Sequence, residues 1–202
     1  MKKLCSNNER QWLKKAIKRE LIPAFKQLGF KEYPLPDDSK NIKSMVIGYP
    51  FGILRRNSPK GIDILEIEFD MPGRFGFRFC FATVPDKGYK HPIAGLIAIE
   101  NIIVSISLKH YFEAYQSRFF RKWFSLLNWP GKEINEADYE LLIKKVIEKI
   151  IPEIEEVFKT GKVGPHIHEN KLITRYILKK DKEGRALEYI DYNPDRRVVS
   201  RK

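Results

Sequence analysis

The residues with most chemistry to offer are two histidines spaced two apart. In Gly164-Pro165-His166-Ile167-His168-Glu169 both imidazoles fall on one side of an extended segment, where they could be two ligands of zinc or a similar ion. A third and fourth ligand must come from elsewhere, and His91, His110 and Asp191 are the right types without a supporting spacing. The competing reading is two ordinary surface histidines. Covalent catalysis has less to build on. Cys5 precedes the first expected helix, Cys80 sits in a Phe-rich strand, neither has a base beside it in sequence, and no Gly-x-Ser-x-Gly elbow occurs. Gly73 and Gly76 belong to an expected hairpin, and Gly161 and Gly164 follow a helix instead of opening one, so no phosphate-cradling loop is present. These observations lean away from an enzyme, and no cofactor is expected.

Binding chemistry is better represented. The 202 residues hold 38 Lys and Arg against 26 Asp and Glu, a formal charge of +12, half of it in residues 1–50. A surplus of that size favours polyanions such as nucleic acid, acidic protein faces or anionic lipid, although lysine-rich surfaces also arise as solubility devices. Lys14, Lys15, Lys18 and Arg19 form basic rows on one face of a helix and are the first candidate surface; the alternative is a solvated helix face. Gly73-Arg74-Phe75-Gly76-Phe77-Arg78-Phe79 comes close to the strand on which RNA-recognition motifs stack bases. Its Gly73 and Arg74 are swapped relative to that signature, and Arg78 stands where an aliphatic residue belongs. Four Phe at period two fit the buried face of a half-exposed sheet, which turns Arg74 and Arg78 toward water or a partner.

The elements that must position these groups follow from periodicity. Ser6 or Asn7 can cap an amphipathic helix with Trp12, Leu13, Ala16, Ile17, Leu21, Phe25 and Leu28 on its apolar stripe, Pro23 as a kink or new turn, and Gly29 as its end. From Phe30 a loop with Pro34 and Pro36 leads to expected strands at 45–49 and 51–56, with a turn at 57–61. Residues 62–71 and 74–84 flank Pro72-Gly73 as a hairpin; Leu65, Ile67 and Phe69 share one face, and Ile64, Glu66 and Glu68 the other. A strand is expected around 102–108. Beyond an aromatic segment with Phe119, Phe120, Trp123 and Trp129, Asn135 can cap a long helix running past Pro152 to Gly161. Residues 172–178 and 185–190 read as a hairpin about 181–184, before a frayed basic tail at 196–202. The class is α+β: an antiparallel sheet packed by an N-terminal amphipathic helix and a long C-terminal helix, with a peripheral C-terminal hairpin. Residues 1–170 form one domain, and 171–202 are appended to it.

Two cysteines allow no disulfide framework or multi-cysteine zinc site, polar residues 6–9 interrupt any export signal, and the apolar stretch 96–108 falls short of the roughly 18–20 residues of a membrane span. A cytoplasmic protein without a membrane partner is expected. The run Glu20-Leu-Ile-Pro-Ala-Phe-Lys-Gln-Leu-Gly-Phe-Lys31, followed by Phe51 and Arg55-Arg56 before a sheet, resembles the opening of the bacterial family catalogued as domain of unknown function 4304. Glu148-Lys-Ile-Ile-Pro-Glu-Ile-Glu155 is similar to that family's C-terminal helix. Over residues 8–160 the resemblance implies a helix, antiparallel sheet, helix order. It supplies no catalytic residues, and the occurrence of some relatives beside toxin or defence genes implies a protein-binding role. The expectation is a non-enzymatic domain engaging another protein. The alternative is a sequence-tolerant nucleic-acid binder that uses the first helix and the tail residues Arg196, Arg197, Arg201 and Lys202.

Overall fold

Alternation along one strand decides where the core lies. In the computed structural model, which describes residues 7–70, 76–91, 94–119, 121–126, 133–171, 174–180, 186–192 and 199–200, strand β4 (Phe77–Val84) turns Phe77, Phe79 and Phe81 to one face, all fully buried. Against them pack α1 (Asn7–Ala16), the turn Ile17–Leu21 that continues it, α2 (Ile22–Gln27) and α6 (Glu136–Thr160), through Leu13, Ile17, Phe25, Ile143, Ile154 and Phe158. Phe79 meets Phe25 edge-on at 5.7 Å between centroids, and Phe81 meets Phe158 at 5.2 Å. The three Phe rings therefore cannot receive bases. Phe75, Arg74 and the turn at Pro72-Gly73 lie outside the described residues, as do Cys5, Phe120, Trp129, the turn at 181–184 and the basic residues of the tail.

The helix that carries Pro23 is continuous. Pro23 has no N–H to give to the preceding turn, and the backbone widens to π-helix over Ile17–Leu21, where Ile22 N–H reaches back to Ile17 O. Asn135 and Asp138 form a reciprocal capping box at the start of α6, with Asp138 N–H donating to Asn135 Oδ1 at 3.3 Å and Asn135 N–H to Asp138 Oδ2 at 3.1 Å. Gly161, at φ +79°, ends α6, and Lys60 Nζ donates to the last carbonyls, Phe158 at 3.3 Å and Lys159 at 2.7 Å.

The main sheet is antiparallel, in the order β1-β2-β3-β4-β7-β8. Its strands are β1 (Lys31–Tyr33), β2 (Ile53–Ser58), β3 (Gly61–Phe69), β4, β7 (His110–Ala114) and β8 (Ile167–Lys171). Leu65, Ile67 and Phe69 share the helix face, and Ile64, Glu66 and Glu68 the other, as their alternation predicts. Strands β5 (Tyr89–His91) and β6 (Gly95–Ile97) form a separate ribbon. The expected C-terminal hairpin is present as β9 (Thr174–Lys180) and β10 (Ala186–Tyr192), and β11 (Val199–Ser200) pairs with β10 where the sequence suggested a frayed tail.

Two expected strands are helices, and the sheet is not half exposed. Residues 45–49 fall mostly in α4 (Lys43–Gly48), after the short α3 (Asp37–Lys40); β1, expected as loop, takes the pairing edge of β2 that a strand there would have needed. Residues 102–108 contain α5 (Val104–Ser107), and the Glu66 carboxyl accepts the N–H groups of Val104 and Ser105. Both segments cover the second sheet face, where Tyr49, Ile53, Ile64, Cys80, Ala82, Ile102, Val104, Leu108 and Tyr111 form a second core. No helix among the described residues is long and apolar enough to cross a membrane.

Two outcomes follow from this packing. Phe79→Ala opens a cavity between sheet and helices and is expected to cost about 3–5 kcal/mol in urea unfolding. Glu66 is wholly buried, and that burial lifts its carboxyl from the ordinary range to about 8 against the pull of the Val104 and Ser105 N–H groups. The folded chain thus holds this proton more tightly than the unfolded one, so its contribution to stability is complete below about pH 4.5 and is lost as pH rises to about 8. Glu66→Gln cannot ionise, so urea midpoints of the variant should gain on wild type across that window, by about 1 kcal/mol or more; parallel curves would contradict the assignment.

Candidate functional site

The basic rows of the first helix are partly engaged within the fold. Lys15 Nζ lies 2.6 Å from Glu136 Oε1, and Arg19 Nη2 lies 2.6 Å from Glu140 Oε1 and 2.8 Å from Glu20 Oε1. Hydrogen bonds to Glu140 and then Glu20 raise the Arg19 pKa further. Such exposed pairs add little stability, but they set two of the four cations against carboxylates. Lys14 is half buried, and desolvation, then Arg10, lowers its pKa. Lys18 is exposed.

Arg78 faces neither open water nor a free surface, contrary to the reading of the strand as half exposed. Its Nε donates to Glu68 Oε2 at 2.8 Å, and its Nη1 donates to Glu113 Oε1 at 2.7 Å and to the Tyr115 hydroxyl at 2.9 Å, while its Cζ lies 4.8 Å from the centre of the Trp123 ring. Tyr115 in turn donates to Glu113 Oε2 at 2.9 Å, and burial first of all pushes its hydroxyl up to about 12. Cys80, opposite Glu66 in the register, is fully buried, and that burial raises its thiol pKa, which suits a packed side chain and not a nucleophile. This cluster ties β3, β4 and β7 together.

The two histidines take separate partners. His166 Nδ1 is 2.6 Å from Glu153 Oε1 on α6, and His166 N–H donates to Glu153 Oε2 at 3.0 Å. His168 Nε2 lies 2.9 Å from Arg121 Nη2, and burial followed by that cation lowers its pKa. A guanidinium at the ring nitrogen opposes a metal cation there. Among the described residues no three His, Cys, Asp or Glu side chains are grouped to hold a metal ion; His110 pairs with Glu169 at 2.8 Å, and His91 Nδ1 accepts the Ala94 N–H.

The surface that periodicity missed surrounds β1. Lys31, Glu32 and Tyr33 are all exposed, and among the described residues β1 is an edge strand paired with β2 alone. Gly52, at φ +67°, lets β2 start against it; a Cβ there would stand 2.2 Å from Tyr33 O. Two hollows meet at Tyr33. One, about 390 Å³, is lined by Leu35, Val46, Tyr49 and Phe51, with Glu32 and Lys40 also on its wall. The other, about 380 Å³, is lined by Lys31, Arg55, Arg56 and Asn57, with Leu28, Ile62 and Ile99. Adjacent in sequence, Arg55 and Arg56 take opposite faces of β2. Arg56 Nε donates to Asp63 Oδ2 at 2.9 Å, its Nη1 lies 2.8 Å from Glu155 Oε1, and its Cζ stands 4.4 Å from the centre of the Phe30 ring. Arg55 is only 7 % exposed, and its Nη2 donates to the carbonyl of Glu100 at 3.3 Å.

Removing one partner from these buried ion clusters strands the others. Arg56→Met leaves Asp63 and Glu155 unneutralised, and Arg78→Met does the same to Glu68 and Glu113; each should cost about 3–5 kcal/mol in urea unfolding. Arg19→Met, at an exposed cluster, should change stability by less than about 1 kcal/mol. No protein-family model, curated protein or solved structure matches this chain.

Proposed function

We propose that this chain is a cytoplasmic, non-enzymatic binding domain that engages another protein, and that the partner adds an extended segment along β1. The observation that carries the reading is the setting of β1: an exposed edge strand between an apolar hollow and a basic one, with Tyr33 on the wall of both. An edge strand offers unpaired backbone groups for strand addition, and pockets beside it select alternate side chains. Tyr33 and Val46 are 40 % and 47 % exposed, apolar area that a partner would cover. Charge sets the partner's sign. Glu32 is paired with Lys26 at 2.5 Å, which leaves Lys31 to mark β1, on a chain of net charge +12. The segment that fits is acidic with an apolar anchor. The resemblance of residues 20–31 and 148–155 to the domain of unknown function 4304 family, with relatives beside toxin or defence genes, supports a protein partner in a bacterial defence setting.

Peptide display tests this. Random nine-residue peptides selected on the whole chain, and counter-selected on Tyr33→Ala/Val46→Glu, should converge on acidic segments with an apolar residue, and the selected peptide should protect the β1 amides in hydrogen exchange. Equal enrichment on the double variant, or protection elsewhere, would overturn the reading. Oligonucleotide binding that falls steeply with salt, survives Tyr33→Ala and is lost on Lys18→Glu would favour nucleic acid instead.

A further inference from the structure

Arg55 is a buried cation that touches no carboxylate among the described residues; Glu100 and Glu66 act on it only at longer range. Two other β-strand arginines, Arg56 and Arg78, each hold two carboxylates, Arg56 with Asp63 and Glu155, and Arg78 with Glu68 and Glu113. Arg55 is more buried than either, yet among the described residues no carboxylate pairs with it. Its Nη2 has only the Glu100 carbonyl, at 3.3 Å, and its buried Nε has no hydrogen-bond acceptor. Guanidinium stays charged at any physiological pH, so this charge cannot be relieved by losing a proton. The register sharpens the problem. Lys31 lies directly opposite Arg55 across β1 and β2, and like charges in that position repel.

The described cavity wall offers the cation a ring but no carboxylate. Its described lining holds Lys31, Arg55 and Arg56, the Asn57 amide and the Tyr33 ring, whose centre is 5.0 Å from Arg55 Cζ, and no Asp or Glu. Arg56 is already neutralised by Asp63 and Glu155, which leaves Arg55 and Lys31 facing about 380 Å³ of space. That volume is in the range of small-ligand pockets and exceeds what a bare ion needs.

We propose that this cavity is a binding site for an oxyanion, a carboxylate or a phosphate group, held by the Arg55 guanidinium with Lys31 and the Asn57 amide, while Tyr33 walls one side. Arg matches the planar or tetrahedral oxygens of such groups with paired N–H donors. The anion supplies the direct hydrogen-bonded partner that Arg55 Nε lacks in the fold. The site is separate from strand addition at β1: a free anion can occupy it whether or not a protein engages the edge.

The test is a titration of the full chain with inorganic phosphate and with succinate, each against sodium chloride at matched ionic strength, read by thermal shift and calorimetry. One or both should raise Tm saturably with a single site. Arg55→Met, which removes an unpaired charge and so should fold, is expected to lose the response, and Lys31→Ala to weaken binding about tenfold. No shift beyond the chloride control, or an unchanged response in Arg55→Met, overturns the site. Should Arg55→Met not fold, Lys31→Ala and Asn57→Ala decide, and affinities equal to wild type in both overturn it. A glutamate-containing, C-terminally amidated peptide that displaces the bound probe would assign the anion to a protein side chain; probe binding that the peptide leaves unchanged would assign it to a free small molecule.

Discussion

A sheet covered on both faces must neutralise every charge it carries, and this one carries many. Strands β2, β3 and β4 are packed by α1, α2 and α6 on one side and by the segments around α4 and α5 on the other. Both faces bury apolar cores, and a charge left there without a partner is costly. The arrangement of polar groups follows. Asp63 receives Arg56 Nε, the Ser58 hydroxyl at 3.1 Å and the Thr83 hydroxyl at 2.6 Å. Glu68 and Glu113 enclose Arg78, and Asn170 and Tyr111 extend the same network to β8. Glu66 makes no direct ion pair among the described residues; burial raises its pKa against the weaker pull of Arg55, and its carboxyl draws the first N–H groups of α5 onto the sheet. Pairing, protonation and capping are three solutions to one constraint. Among the described residues Arg55 is a buried charge met only by a carbonyl, a ring and more distant carboxylates, which is why it stands out.

The sequence carried the helix side of this fold in full. Period-two Phe on β4 and three-and-four spacing in α1 and α6 both specify one buried face, and Asn135, Gly161 and the hairpin of β3 and β4 are local signals that tertiary context did not override. The second face was less legible because its cover is made of short pieces. Met45, Val46 and Ile47, and Ile102 to Ile106, have β-branched or flexible apolar compositions that suit a strand. What makes them helical is non-local: β1 occupies the sheet edge in one case, and a carboxyl 38 residues away caps the helix in the other. Strand β1, three residues long and exposed throughout, has no periodicity to read.

The candidate surface was illegible for a related reason. Lysines and arginines on one helix face look like a binding patch when α6 is not yet in view, yet Glu136 and Glu140 sit across from Lys15 and Arg19. Conversely, Arg55-Arg56 reads as an unremarkable pair at the entry to a sheet. Only the register shows that one of the two is enclosed by carboxylates and the other faces Lys31. Net charge has no address on the sequence; the register and the lack of a direct carboxylate partner are what single out Arg55.

The two edges of the main sheet differ in a way that bears on function. At β8, Glu169 holds both His110 at 2.8 Å and Lys171 at 3.0 Å, so charged side chains stand along the strand and discourage pairing. At β1 the single acid, Glu32, is drawn off by Lys26, and the adjoining apolar hollow is left open beside Tyr33. An exposed edge of this kind is an aggregation liability unless something covers it or its charge repels copies of itself. Lys31 is the exposed charge on this edge that would repel a second copy of the chain, and on the proposed reading it would also favour an acidic segment. On that reading one exposed lysine beside an apolar hollow would both guard the edge against self-association and favour an acidic partner over a basic one.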